Sequence, residues 1–466
     1  MMTVPSFDIS MQGIATFEIP YSEQPILPLS GVSDRKASPQ LLKHHIMNTR
    51  FRLIIMNFLQ FFVWGAWLIS IGGYLGGTLH FTGSEIGAVF STLGIASLVS
   101  PAIMGIIADK WVNAERVFAV CHLLGAAVLI WASTVTDPHL FFWVMLLNSM
   151  FYMPTIALNN TVSYVVLEQK GYDIVKAFPP IRVWGTVGFI AAMWTVDIFG
   201  WKSNHVQLLV SATAAICLAL YALTMPSCPP LKSRQKGSIV SALGLDAFVL
   251  YRQKKMVIFF LFAMCLGAAL QITNAFGGSF LESFNETHPG TFGVQHPILL
   301  LSISQISETL FILTIPFFLN KFGIKSVMLF SILAWVFRFG LFAVGDPGTG
   351  LYLLVLSMII YGMAFDFFSI SGSLFVESEV SAGIRASAQG LFMFMTNGLG
   401  AMFGGYCSGL VVDYYTQTDP VTKIIISRDW HSIWFAFAGY ALVLAIIFPL
   451  VFRYKHDPQK LAAVHH

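Results

Sequence analysis

Twelve apolar runs, each long enough to cross a bilayer as a helix, recur between Leu53 and Phe452 and dominate the 466-residue chain. They lie near 53–75, 86–107, 116–135, 140–166, 181–200, 205–225, 257–279, 297–319, 325–345, 351–372, 387–412 and 431–452. A hydrocarbon core of about 30 Å needs roughly 20 apolar residues at helical rise. In lipid every backbone polar group must be satisfied internally, which admits helices or closed barrels. The period-2 alternation of a barrel strand is absent. With 56% hydrophobic and 11% charged residues, the chain reads as an all-α membrane protein of twelve transmembrane helices.

Charge placement orients this array. Arg50, Arg52, Lys110, Arg116, Lys170, Lys176, Lys254, Lys255, Lys321, Lys325, Arg385 and Arg453 flank the ends of the array or sit in even-numbered connections. The odd-numbered ones hold only Lys202, Lys423 and Arg428. By the positive-inside rule both termini and the long central loop are expected in the cytoplasm. A net charge of +3 is too small to argue for a nucleic-acid partner. The five cysteines are an odd, scattered set, read as packing residues with neither disulfide nor metal spacing.

The chain divides into an N-terminal extension (1–46), six spans (47–225), a basic linker (226–256), six more spans (257–456) and a C-terminal tail (457–466). The extension is polar, holds several prolines and lacks the apolar core of a signal peptide, so it is expected to be disordered; a start at Met47 would omit it. Two six-helix bundles joined by a cytoplasmic linker suit a transporter with its site near the midplane. A weak repeat agrees: "GIIADKWVNAERV" (Gly105–Val117) follows span 2 and "FFLNKFGIKSV" (Phe317–Val327) follows span 8. The first resembles the loop motif Gly-x-x-x-Asp-(Arg/Lys) of the major facilitator superfamily, although Trp111, Val112 and Asn113 depart from it.

Charged groups inside spans usually face a bundle interior or a watery cavity. Arg182, Glu308, Arg338 and Asp366 are the candidates; Asp197 and Asp413 lie near helix ends, can reach the interface, and are set aside. In "FPPIRVWGTVGF", Pro179 and Pro180 are expected in the first helical turn, and Arg182, Thr186 and Phe189 share one face. The plainer reading of Arg182 is a residue that snorkels or caps a loop. Gln271 and Asn274 in span 7 and Gln305 and Glu308 in span 8 each form an i, i+3 pair. Interhelical hydrogen-bond glue is the ordinary explanation for such amides, but two pairs with a carboxylate exceed what packing needs. In span 10, Tyr361 and Phe365 are spaced i, i+4, with Asp366 beside them. Aromatic faces with carboxylates and amides suit a planar heterocycle bearing hydroxyls. Glu308 or Asp366 could carry a proton as access alternates, or Glu308 could form a fixed ion pair with Arg182 or Arg338. Asn57, Gln60, Trp64, Trp67, Asn148, Asn159, Asn160 and Asn397 could border the same cavity, without a reason to choose them.

The stretches "FPPIRVWGTVGF", "LQITNAFGGSFL", "SISQISETLFILTIPFFL" and "YGMAFDFFSISGSLFVESEVSAGIRASAQG" together resemble the bacterial nucleoside:proton symporter family of the major facilitator superfamily. The resemblance covers nearly all of 47–456. It implies proton-driven uptake of purine and pyrimidine nucleosides across the bacterial inner membrane by a monomer, with no cofactor. It places Arg182, Thr186, Phe189, Gln271, Asn274, Gln305, Glu308, Tyr361 and Phe365 at the substrate and Glu308 or Asp366 at the proton. The alternatives are the same fold with xanthosine only, a sugar or a drug as cargo, or a nucleoside sensor that moves nothing. No phosphate loop, spaced His cluster or nucleophile elbow speaks for an enzyme.

Overall fold

A computed structural model describes residues 39–230, 245–381, 384–419, 421 and 425–454. Most of the N-terminal extension, the middle of the basic linker and the C-terminal tail therefore lie outside the described residues. The first half of the chain contributes α1 (Pro39–Gly65), α2 (Gly83–Lys110), α3 (Ala114–Ala132), α4 (Pro138–Gln169), α5 (Ile174–Ile198) and α6 (Val206–Ala222). The second half contributes α7 (Lys254–Glu282), α8 (Pro297–Ile312), α9 (Ile315–Val344), α10 (Leu351–Ala364), α11 (Asp366–Glu379), α12 (Arg385–Met393), α13 (Ala401–Tyr414) and α14 (Trp430–Val451). A short antiparallel hairpin, Thr416–Thr418 with Ile425–Arg428, is the one strand pairing among the described residues.

Seven of the described helices, and α10 with α11 taken together over Leu351–Glu379, are long and apolar enough to cross a membrane. The other apolar runs map onto α1, the shorter α6, the pair formed by α8 with the start of α9, and the segment from α12 through α13. Local chemistry accounts for many of the ends. Thr82 and Glu85 close a capping box at the start of α2, and Asp137, Asp173 and Asp429 accept from the first turns of α4, α5 and α14. Gly323, at φ +74°, breaks α9 and turns the chain between spans 8 and 9, a conformation that favours glycine.

Four expectations need correction. The fifth span begins at Ile174 behind the Asp173 cap, so Pro179 and Pro180 lie in the second turn. Membrane helices tolerate this because neighbouring groups re-satisfy the freed carbonyls. The eighth run is interrupted between α8 and α9, and the tenth at Phe365, where α10 ends and α11 begins. The eleventh passes through a π-helical stretch, Phe394–Gly400.

The two halves meet along the segment Ile71–Thr78, α2 and α5 on one side and α7, α8 and α13 on the other. Glycines make the contact close. A Cβ on Gly87 would stand 2.3 Å from the carbonyl oxygen of Gly405, and one on Gly409 would stand 2.3 Å from that of Gly83. Gly72 approaches the Ala275 carbonyl in the same way, at 2.0 Å. These contacts gather at one end of the bundles. Toward the other end α12, which continues the α13 span, packs chiefly on α11 and on Leu245–Arg252 of its own half, and the bundles diverge.

Candidate substrate and proton site between the bundles

The first wall of the site comes from α5. Gly188 lets this helix approach α1 so closely that a Cβ there would lie 2.1 Å from the Phe58 carbonyl oxygen. That approach sets Phe189, which is buried, edge-on to Trp64 with centroids 6.1 Å apart, and Trp64 in turn meets Tyr152 at 5.6 Å. Gly185 leaves room for Arg182, whose guanidinium lies over the Phe61 ring at 3.9 Å. Thr186 is half-buried on the same face.

The opposite wall comes from α8, α9 and the α10–α11 pair. Ser307 donates to the Ile359 carbonyl at 2.5 Å, and Gly362 is what allows the two helices to touch there. Glu308 and Gln305 then lie close to Tyr361. Behind Tyr361 stands Arg338, buried, its guanidinium 4.6 Å from the tyrosine ring and 4.8 Å from Phe342, with Nη1 donating to the Ser357 carbonyl at 3.0 Å. The break at Phe365 makes Asp366 the first residue of α11, where a helix start favours negative charge. Ser331 donates to the Ala364 carbonyl at that break. Gln271 of α7 is buried and Asn274 half-buried one turn on.

One residue is common to both walls. Glu308 lies within electrostatic range of Tyr361 and Asp366 in its own bundle and of Arg182 in the other. No carboxylate closes an ion pair with Arg182 or Arg338 among the described residues, so the fixed pairing considered from sequence is not formed in this structure. Gln271 Oε1 and Asp366 Oδ2 are buried without a protein partner, a costly state unless a polar guest meets them. Thr186 and Asn274 also make no side-chain hydrogen bond within the described protein. Aromatic rings, amides and carboxylates thus face one another across the bundle interface. No group of three metal-ligating side chains occurs among the described residues.

Sequence reasoning missed a polar network inside the first bundle. His122 Nε2 meets Gln60 Oε1 at 2.8 Å, Gln60 Nε2 donates to Thr155 at 2.9 Å, and the Tyr152 hydroxyl donates to the Gln60 carbonyl at 3.0 Å. Asn159 donates to Asn57 at 2.8 Å, and Asn57 to Ser163 at 3.3 Å. Apart from Asn159 Oδ1, which is buried without a partner, these amides satisfy one another, which is the glue role. Tyr152 alone of this group also lies within electrostatic range of Arg182. A single His and a single Tyr in apolar runs gave no spacing that could have linked them to Gln60.

The family described as nucleoside H+ symporter matches residues 47–457. Xanthosine permease of Escherichia coli is 56% identical over 418 residues, 89% of this chain and 98% of the relative. Nucleoside permease NupG of Escherichia coli is 54% identical over 413 residues, 88% of this chain and 97% of that protein. The crystal structure of the nucleoside transporter NupG superposes with a TM-score of 0.82 at 54% identity, covering 88% of this chain and 100% of that one.

Proposed function

Because this chain belongs to the nucleoside H+ symporter family of membrane transporters, we propose that it takes up purine and pyrimidine nucleosides with protons, as a monomer working by alternating access. It is a transporter, not an enzyme. The bilayer is the bacterial inner membrane, and both termini face the cytoplasm. The base lies among Phe189, Tyr361, Phe365 and the amides of Gln271, Asn274 and Gln305, while the ribose hydroxyls meet Arg182, Thr186 and Glu308. The observation that carries this reading is the position of Glu308, shared between Arg182 of one bundle and Tyr361 and Asp366 of the other. A group so placed can sense substrate, proton and bundle separation together.

The direct test is uptake of radiolabelled uridine and adenosine into proteoliposomes with and without an inward proton gradient. Accumulation that collapses with a protonophore is expected. Saturable uptake indifferent to the gradient would leave facilitated diffusion, and uptake of neither would point to another cargo or to a sensor. Competition by nucleosides, free bases and sugars distinguishes broad uptake from a cargo restricted to xanthosine.

A further inference from the structure

Two carboxylates outside this site occupy equivalent places in the two bundles. Asp197 is the next-to-last residue of α5, and Asp413 the next-to-last of α13. A helix C-terminus carries the negative end of the dipole, so neither is favoured by its own helix. Each crosses instead to the other bundle and meets the free N–H groups of a helix start. Asp197 Oδ2 accepts from Leu299 N in the first turn of α8 at 2.7 Å. Asp413 accepts from Gly83 N and Ser84 N, the first residues of α2, at 2.5 and 2.8 Å.

A cation accompanies each carboxylate. Lys202 bonds Asp197 at 2.8 Å and also donates to the Gln295 carbonyl, two residues ahead of α8. Arg428 lies within electrostatic range of Asp413 and donates at 3.1 Å to the Phe81 carbonyl, two residues ahead of α2. His296 stands 3.7 Å from Asp197, and Glu282 is close to Lys202. Spans 5 and 11 hold corresponding positions in the two sets of six, as do spans 8 and 2, so one arrangement occurs twice. Lys202 and Arg428 are also two of the three basic residues that break the charge asymmetry between the two sides of the array.

We propose that Asp197 with Lys202, and Asp413 with Arg428, are two equivalent clamps that hold this end of the transporter shut and must release before the site can open on that side. Charge-assisted bonds to helix starts are directional. They exist only while α5 abuts α8 and α13 abuts α2, so they bias the equilibrium between the two access states by their whole free energy. The proposal rests on the two-bundle architecture and not on the identity of the cargo.

The test uses the full chain with its five cysteines replaced by alanine and a single reporter, Ser279→Cys. Ser279 is buried at the closed end, where a Cβ on Gly72 of the other bundle would lie 3.7 Å from its hydroxyl. Maleimide labelling of the detergent-solubilised protein is expected to be about tenfold faster in D197A/D413A, and faster to a lesser degree in K202A/R428A. A second reporter, Ser149→Cys, is buried wholly within the first bundle against Thr92 and is expected to label at the parent rate. Should D197A/D413A not survive purification, D197N/D413N is measured in the same way, since it removes both charges at constant volume. Parent-rate labelling of Ser279→Cys in the clamp variants overturns the proposal. So does equal acceleration at both reporters, which would mark general loosening.

Discussion

Glu308 of α8 and Arg182 of α5 face each other from opposite bundles within electrostatic range, yet form no ion pair. On the proposed reading, a carboxylate left unlocked in this way would exchange a proton as the bundles move. Glu308→Gln keeps the volume and removes the titratable group. Proton-driven accumulation is expected to be abolished, as read by uptake against a concentration gradient in proteoliposomes. Retained uphill uptake would assign the coupling to Asp366.

Arg338 backs Tyr361 with a cation over its ring and spends its Nη1 on Ser304 and on the Ser357 carbonyl. Lysine keeps the charge but loses the planar fork and the stacking. A desolvated cation–π contact is worth about 2 kcal/mol. Arg338→Lys is expected to raise KM for nucleosides more than it lowers the maximal rate, because Tyr361 loses its support rather than its chemistry. Uptake kinetics across a range of nucleoside concentrations check this.

Two glycine-to-alanine changes should move stability in opposite directions. In Gly409→Ala the new Cβ meets the Gly83 backbone, which cannot yield, so α2 and α13 must part at a cost of roughly 1–3 kcal/mol. Gly340 lies inside α9 with nothing within 4 Å of its would-be Cβ. Gly340→Ala gains up to about 1 kcal/mol of helix propensity. Thermal melting of the purified protein is expected to fall in the first and hold or rise in the second.

Cys228 lies beyond α6, where burial, followed by the nearby Glu115 carboxylate, pushes its thiol up to about 12. Its N–H donates to Glu115 at 2.9 Å, and its carbonyl accepts from Ala114. Since the thiolate is the nucleophile, Cys228 should resist N-ethylmaleimide at pH 8 in the folded protein and react once it is denatured. Glu115→Ala, which frees the backbone holding it, should accelerate alkylation. Peptide mass spectrometry reads both.

The spans were legible because lipid leaves so few options to an apolar run of that length, and helical spacing showed which polar residues share a face. The interruption at Phe365 was not, since apolar residues surround it and it carries no breaker of its own; the one between α8 and α9 did have a signal in Pro316, the second residue of α9, which the reading of a single run over 297–319 passed over. Asn113, which departs from the loop motif, proved to tie that turn to Ser227 at 2.9 Å and to Glu115 at 3.0 Å, a long-range contact no local pattern encodes. Asp197 and Asp413 were set aside for the same reason. A carboxylate at the end of one helix looks solvated until the start of another helix, about a hundred residues earlier or later at the nearest, is brought against it.

The glycine contacts between α2 and α13 have an electrical meaning. Where no methyl group fits between two backbones, no file of water does either, so the closed end would act as an insulator in series with any water-filled cleft on the other side of the site. The membrane voltage then falls mainly across those few ångströms, at about 2.3 kcal/mol per unit charge for each 100 mV. On the proposed reading, Glu308 and Asp366, on the cleft side, would sit near the potential of the open compartment and exchange protons with it almost without electrical work. The charge would then be carried through the field when the bundles rock and the insulating layer moves to the other side of the site.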